Sequence, residues 1–283
     1  MALHILLSAP RIFKSIRSEH KLLRKLIRER KIDTVISDNR YGLWSREAYC
    51  IFITHQVFIQ APVFAGVLHK LTARYMSRFS ECWIPDLNTK ENLSGDLAHK
   101  EKLPQNCFFI GPLSRFGFSG QVEGGRYDLV IALSGPEPQR SVFEKKILSQ
   151  LPGIPGRILL LQGITEKNGL ITEGNLTVVS HLPAEEMKQA LSGTAIWIGR
   201  SGYSSIMDAA ALGKKCIFVP TPGQTEQVYL AQFHERLGHC IVMNQKRFNL
   251  EEALGKMKMI RGFEKKKGSD EMLKERLENL LNR

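Results

Sequence analysis

Arg200, Ser201 and Gly202 stand between the apolar run AIWIG and the segment YSSIMDAAALG, which leads into a second apolar run, KKCIFV. The pattern predicts a buried strand, a polar turn, a helix and a further buried strand, with these three residues at the helix entrance. A helix N-terminus presents unpaired backbone N–H groups and the positive end of its dipole. Glycine there admits close backbone approach, serine adds a hydroxyl and arginine a fork of donors, so the turn has the chemistry of an anion site suited to a diphosphate. The same residue types also serve conformation alone: Ser201 can cap the helix and Gly202 can relieve a tight turn.

Further chemistry-bearing residues recur at the ends of predicted strands in the same half of the chain. Ser134 and Gly135 open the turn SGPEP after the first of these strands, His181 and Leu182 follow the third, and Gln224, Glu226 and Gln227 follow the fifth. Parallel strands would put these loops on one rim, giving a crevice with two phosphate-suited turns, an apolar edge and a cluster of polar groups. A sugar nucleotide requires that combination. Asp208 lies seven residues beyond Ser201, about two helical turns, so both can face the crevice. It is an isolated acid in an apolar stretch. Arg140 either reaches a diphosphate or decorates a helix, and the sequence leaves both open.

The elements that must position these residues follow from the alternation of apolar runs and turn signals. Strands are predicted at 128–133, 157–161, 176–179, 195–198, 215–220 and 240–243, with helices near 141–151, 184–192, 203–212 and 226–237. Six strands with crossover helices make a complete doubly wound α/β domain. Upstream, a helix precedes short strands at 34–37, 51–54, 82–85 and 108–111, with a helical segment near 62–79, and the turn-rich stretch 112–125 reads as a linker. The domains expected are therefore 1–118, 126–262 and a C-terminal helix within 263–283. Because the first half opens on a helix, without a strand and its loop ahead of it, it is expected to be an incomplete Rossmann-like domain that lacks part of one cleft wall.

Composition narrows the function classes. The chain has 283 residues, 43% hydrophobic and 24% charged, as ordinary globular proteins do. No apolar run approaches the roughly 20 residues that span a bilayer. The stretch LHILLSAP is too short and too poorly flanked for a secretory signal, and the five cysteines lack a paired or zinc-binding spacing, so a cytoplasmic location and no metal centre are expected. The net charge of +12 is concentrated at the ends: residues 1–31 hold nine Lys or Arg against Glu19 and Glu29. These basic segments lack the interleaved aromatics that stack bases, which argues against nucleic acid. Ile12, Phe13, Ile16, Leu22, Leu23, Leu26 and Ile27 approximate a helical stripe opposite Arg17, Lys21, Arg24, Lys25 and Arg28. That arrangement suits packing on a sheet, docking on an anionic membrane surface, or both.

The segments RSGYSSIMDAAALGKKCIFVPTPGQTEQVYLAQF, LSGPEPQR and VVSHLPAEEM together resemble the nucleotide-sugar half of GT-B glycosyltransferases, especially glycosyltransferase family 28. Fainter likeness extends to DTVISDNRYGL and IFITHQ, on the acceptor side of that fold, and to FFIGPLSRF, which resembles the approach to its linker. The resemblance implies an α/β protein of two Rossmann-like domains that transfers a sugar, with inversion, from a nucleoside diphosphate donor to a lipid-linked or cell-envelope glycan acceptor. It places Asp208 on the ribose hydroxyls, Gln227 and Glu226 near the donor sugar, and Leu182 against the base. Ser134, Gly135, Arg140, Arg200, Ser201, Gly202 and Gln224 complete the implied donor set.

No DxD pair occurs in the sequence, which fits a transferase that meets its diphosphate with helix dipoles, backbone N–H groups and Arg200 in place of a divalent metal. A general base must deprotonate the acceptor hydroxyl. His55, after a predicted strand, and Asp38 are the first choices, ahead of His99 and His181. Nucleotide-sugar hydrolysis or epimerisation on the same fold, or nucleotide binding without transfer, are the alternatives.

Overall fold

The computed structural model describes residues 2–59, 65–117, 126–265 and 269–283. The chain forms two compact units, Met1–Pro112 with Ser269–Arg283, and Leu113–Gly268.

The first unit opens on helix α1 (Ala2–Arg30). Of the predicted apolar stripe, Leu23 and Ile27 are buried, whereas Ile12, Phe13, Leu22 and Leu26 remain exposed. Strands β1 (Thr34–Asp38), β2 (Tyr49–Ile53), β3 (Glu81–Ile84) and β4 (Cys107–Phe109) form a sheet in that order, every neighbouring pair parallel. Helix α2 (Ala65–Met76) links β2 to β3, and the short α3 (Asp96–His99) precedes β4. The predicted start of α2 at residue 62 lies outside the described residues. Cys50, Phe52, Phe58, Met76, Phe79, Cys82 and Ile84 make the core of this unit. The C-terminal helix (Ser269–Leu281) belongs to the same unit: the Arg276 guanidinium lies 3.7 Å from the Phe108 ring centre, and Arg283 stacks on Tyr49 and pairs with Glu81.

The second unit runs β5 (Leu129–Ala132), α4 (Gln139–Leu148), β6 (Ile158–Leu161), β7 (Leu170–Glu173), β8 (Leu176–Val179), α5 (Ala184–Gly193), β9 (Ile196–Gly199), α6 (Tyr203–Leu212), β10 (Lys215–Phe218), α7 (Thr225–Arg236), β11 (Cys240–Val242) and α8 (Leu250–Lys256). The sheet order is β11-β10-β9-β5-β6-β8-β7. Without β7 this is the doubly wound arrangement, whose order reverses between β5 and β9, the place where such sheets open a ligand crevice beyond their strand ends. β5 and β6 are buried on both faces, as parallel strands covered by helices must be.

β7 was not among the predicted strands. It pairs antiparallel with β8 through a Gly174-Asn175 turn in which Gly174 takes a φ of 58°. All four of its residues are exposed, including Leu170 and Ile171, so it lacks the buried run that marks the other strands. A Gly-Asn pair between two short β-prone runs is the hairpin signal that identifies it.

Candidate functional site

Three loops of the second unit meet beyond the ends of β5, β9 and β10, and Arg200 joins them. Its Nη1 donates to the Val219 carbonyl at 2.9 Å, its Nη2 to the Gln139 carbonyl at 3.2 Å, and its Nε to the Ser134 carbonyl at 3.4 Å. The guanidinium is 2% exposed and lies 4.6 Å from the centre of the Phe143 ring. Among the described residues these hydrogen-bond acceptors are all backbone carbonyls, and no carboxylate pairs with Arg200. Desolvation lowers its pKa to about 10. A buried cation with dipoles for partners and no counter-charge favours the arrival of an anion.

The glycines around it have distinct reasons. Gly135 holds a φ of 101°, which requires glycine, and a Cβ there would stand in tight contact with Thr221 Oγ1 at 3.3 Å and in ordinary contact with Arg200 Nε at 4.0 Å. Gly202 has an ordinary φ of −67°, and a Cβ would meet nothing within 4 Å. The tight-turn role considered for Gly202 is therefore absent, and the open space beside it at the start of α6 is what a ligand approaching the backbone would use. Ser201 does not cap α6 either. The cap position is Gly202, and Ser201 Oγ donates to the Gln227 carbonyl at 2.8 Å.

Gln227 ties two of the loops together. Its carbonyl takes the Ser201 hydroxyl and its Oε1 takes the Thr221 backbone N–H at 2.8 Å, which leaves the Nε2 end to meet a ligand. Thr221 is 1% exposed, and its Oγ1 has no hydrogen-bond partner. An unpaired buried hydroxyl is costly, and here it sits beside Gly135 in the loop cluster that Arg200 holds. Thr221 was missed in the sequence because VPTPGQ reads simply as a strand end and turn. Gln224 occupies the cap position of α7 and is exposed; Glu226 follows in the first turn, half-buried.

Arg140 is placed differently from the diphosphate role considered for it. Its guanidinium is engaged by Glu137 at 2.6 Å, Glu144 at 2.7 Å and the Gln162 carbonyl at 3.1 Å, so its charge is spent within α4 and its neighbours. Leu182 is half-buried on a groove of about 510 Å³ shared with Leu159, Val179, Glu185 and Ala190, between α5 and the sheet.

Asp208 is 3% exposed on α6 and accepts from Ser114 Oγ at 2.8 Å and Arg115 Nε at 3.1 Å. Burial pushes its pKa up, against the pull of Ser114 and Arg115. The two residues that hold it come from the segment just after the unit boundary, which the sequence reading treated only as linker.

The base candidates lie in the first unit. Asp38 ends β1 and is exposed, and its Cα partner across the sheet is Ile53, two residues before His55. Asn39 adopts a left-handed φ of 52°, donates its N–H to the Ile53 carbonyl at 2.9 Å and accepts from the Thr54 hydroxyl at 3.3 Å, so the β1 and β2 ends are fastened together. His99 contacts the fully buried Asp86 at 3.2 Å, and His181 contacts the Lys167 carbonyl at 3.0 Å. Asp86 also accepts backbone N–H groups from Leu87, Leu93 and Ser94 and the Ser94 hydroxyl, and the bonds to this carboxylate hold its pKa below the usual range despite desolvation. Among the described residues no group of three His, Cys, Asp or Glu side chains could hold a metal ion.

This architecture is the GT-B glycosyltransferase fold. The chain is similar to the glycotransferase of kitacinnamycin, at 14% identity and a TM-score of 0.64 over 96% of this chain and 81% of that one. It is similar to the spinosyn rhamnosyltransferase SpnG complexed with thymidine diphosphate, at 12% identity and 0.62 over 100% and 82%. It also resembles MurG of Acinetobacter baumannii, at 15% and 0.52 over 94% and 73%. Residues 166–281 match the model of the glycosyltransferase family 28 C-terminal domain, so the family resemblance carried by the second half of the sequence is met by the family model as well as by the fold. No curated protein sequence matches the chain.

Proposed function

We propose that the chain transfers a sugar from a nucleoside diphosphate donor, a UDP-hexosamine or UDP-hexose, to a lipid-linked or cell-envelope glycan acceptor. The observation that carries this reading is Arg200: a buried guanidinium without a carboxylate, at the reversal point of a doubly wound sheet, beside the unpaired Thr221 hydroxyl. The donor diphosphate would lie against Arg200, Thr221, Ser134, Gly135 and the start of α6 at Gly202, and these groups would stabilise the charge that builds as the glycosidic bond breaks. Asp208 would accept the ribose hydroxyls, Gln224, Glu226 and Gln227 would meet the sugar, and Leu182 would pack on the base. His55 or Asp38 would take the proton of the acceptor hydroxyl.

The test is release of UDP from UDP-sugars with and without a lipid-linked glycan acceptor. Acceptor-dependent release supports transfer; release that ignores the acceptor would assign hydrolysis, and interconversion of the sugar would assign epimerisation.

The acceptor reading extends to the membrane surface. Lys21, Arg24, Lys25 and Arg28 are all exposed on α1, Arg24 and Arg28 paired with Glu47, together with exposed Ile12, Phe13, Leu22 and Leu26. Among the described residues no helix is long and apolar enough to cross a membrane, so contact through α1 would be peripheral. Sedimentation with anionic vesicles should fall when Arg24, Lys25 and Arg28 are neutralised, and equal sedimentation would leave α1 a packing role only.

A further inference from the structure

Cysteines come into direct register on neighbouring parallel strands twice. Cys82 of β3 lies opposite Cys107 of β4, and Cys216 of β10 lies opposite Cys240 of β11. In-register residues of adjacent parallel strands project from the same face, and strand separation puts their Cα atoms about 4.8 Å apart, inside the span a disulfide can bridge.

The two pairs differ in access. Cys216 and Cys240 are both fully buried, and their sulfurs lie near the Lys214 and Ala231 carbonyls. Of the first unit's pair, Cys82 is fully buried. Cys107 is half-buried on the edge strand of its sheet, open to a small reagent. The Cys82 thiol donates to the Met76 carbonyl at 3.6 Å, with the Cys107 thiol beside it, and Asn106 Nδ2 points at Cys82 Sγ from 3.7 Å. The hydrogen bond from Cys82 holds the Cys107 pKa below the ordinary thiol value, whereas burial and the neighbouring sulfur push Cys82 up. The reachable sulfur is therefore the one a reagent meets first, and its in-register partner waits behind it.

We propose that Cys82 and Cys107 are a redox site that closes reversibly to a disulfide when the protein meets a small-molecule disulfide. The Cys107 thiolate attacks one sulfur of the reagent, forming a mixed disulfide and releasing one thiolate. Cys82, losing its proton to that thiolate, then attacks the Cys107 sulfur, closes the Cys82–Cys107 bond and releases the second half of the reagent as a thiolate that takes up the Cys107 proton. Two protein thiols are oxidised and one reagent disulfide is reduced to two thiols. Adjacent strands hold Cβ atoms further apart than a relaxed disulfide prefers, which makes the bridge readily reduced again. Closure would fix edge strand β4, whose Phe108 lies beneath Arg276 of the C-terminal helix, to β3. The inference is independent of the transferase reading.

The experiment incubates the full chain with oxidised glutathione, blocks remaining thiols with iodoacetamide and maps peptides by mass spectrometry without reduction. The expected result is a peptide linked through Cys82 and Cys107, reversed by dithiothreitol, with Cys216 and Cys240 still reduced. In Cys82→Ser the reaction should stop at a glutathione adduct on Cys107, and Cys107→Ser should give neither adduct nor link. A wild-type protein that retains a stable adduct on Cys107, links another pair or does not react would overturn the proposal.

Discussion

Arg200 Nη1 donates to the Val219 carbonyl at 2.9 Å, so a buried guanidinium fastens the end of β9 to the end of β10 while its charge meets only dipoles. Lysine keeps the charge but cannot reach the Val219, Gln139 and Ser134 carbonyls together. Arg200→Lys should therefore destabilise the protein by roughly 2 kcal/mol in denaturant unfolding, as hydrogen bonds to a charged group are lost, and should weaken nucleoside diphosphate binding. Since the Arg200 pKa is lowered to about 10, wild-type affinity should fall as pH rises past that value. An affinity constant across that range, measured by calorimetry, would remove the charge of Arg200 from binding.

Thr221 separates stability from binding. Its hydroxyl is buried without a partner, so Thr221→Val removes an unpaired polar group in a shape-conserving way and should leave the melting temperature unchanged or higher. If the hydroxyl serves the diphosphate, UDP affinity should drop about tenfold, the worth of one hydrogen bond to an anion. A variant that binds UDP as wild type does would take Thr221 out of the site.

Asp208 carries a pH signature. Burial raises its pKa above the unfolded value of about 3.9, so the folded state holds the proton more tightly and wild-type stability relative to Asp208→Asn should decline as pH rises through the carboxylate range and level off above the folded pKa. Nucleotide affinity of the Asn variant should fall by roughly 1–3 kcal/mol if the carboxylate accepts the ribose hydroxyls. Paired denaturation and calorimetry check both, and unchanged affinity would confine Asp208 to holding Ser114 and Arg115.

Asp86 should show the opposite slope. Its pKa is lowered in the fold, so its stabilisation is full above the unfolded value near pH 4 and is lost as pH falls through the folded value. Asp86→Ala should cost about 3 kcal/mol or more at neutral pH, because the N–H groups of Leu87, Leu93 and Ser94 lose their common acceptor. Acid unfolding curves of the two proteins that run parallel would contradict this role.

Much of this architecture is legible in the sequence because parallel strands buried on both faces leave short apolar runs, as at β5, β6 and β9, and because turn residues punctuate them. The rim residues Ser134, Gly135, Arg200, Ser201 and Gly202 could be found for the same reason: they sit where runs end. What the sequence hides are partners distant in the chain. Glu137 and Glu144, three residues before and four after Arg140, are partners that helical spacing could have shown, whereas nothing local to Arg200, 60 residues on, says that it has no acid beside it. Likewise Ser201 has the residue type and place of a cap, yet its hydroxyl turns to Gln227 because α7 packs against that loop. β7 escaped because an exposed edge strand has no buried run to announce it.

The central claim is that the Arg200 crevice takes a nucleoside diphosphate, and thermal unfolding of the wild-type chain with UDP, TDP, GDP and CDP and their sugar conjugates tests it most directly. Ligand at about 100 times its Kd adds roughly 2.7 kcal/mol, which should raise Tm by several degrees, selectively for one base and less for the corresponding monophosphate. A folded protein whose Tm is unmoved by every nucleoside diphosphate and conjugate would contradict the donor site.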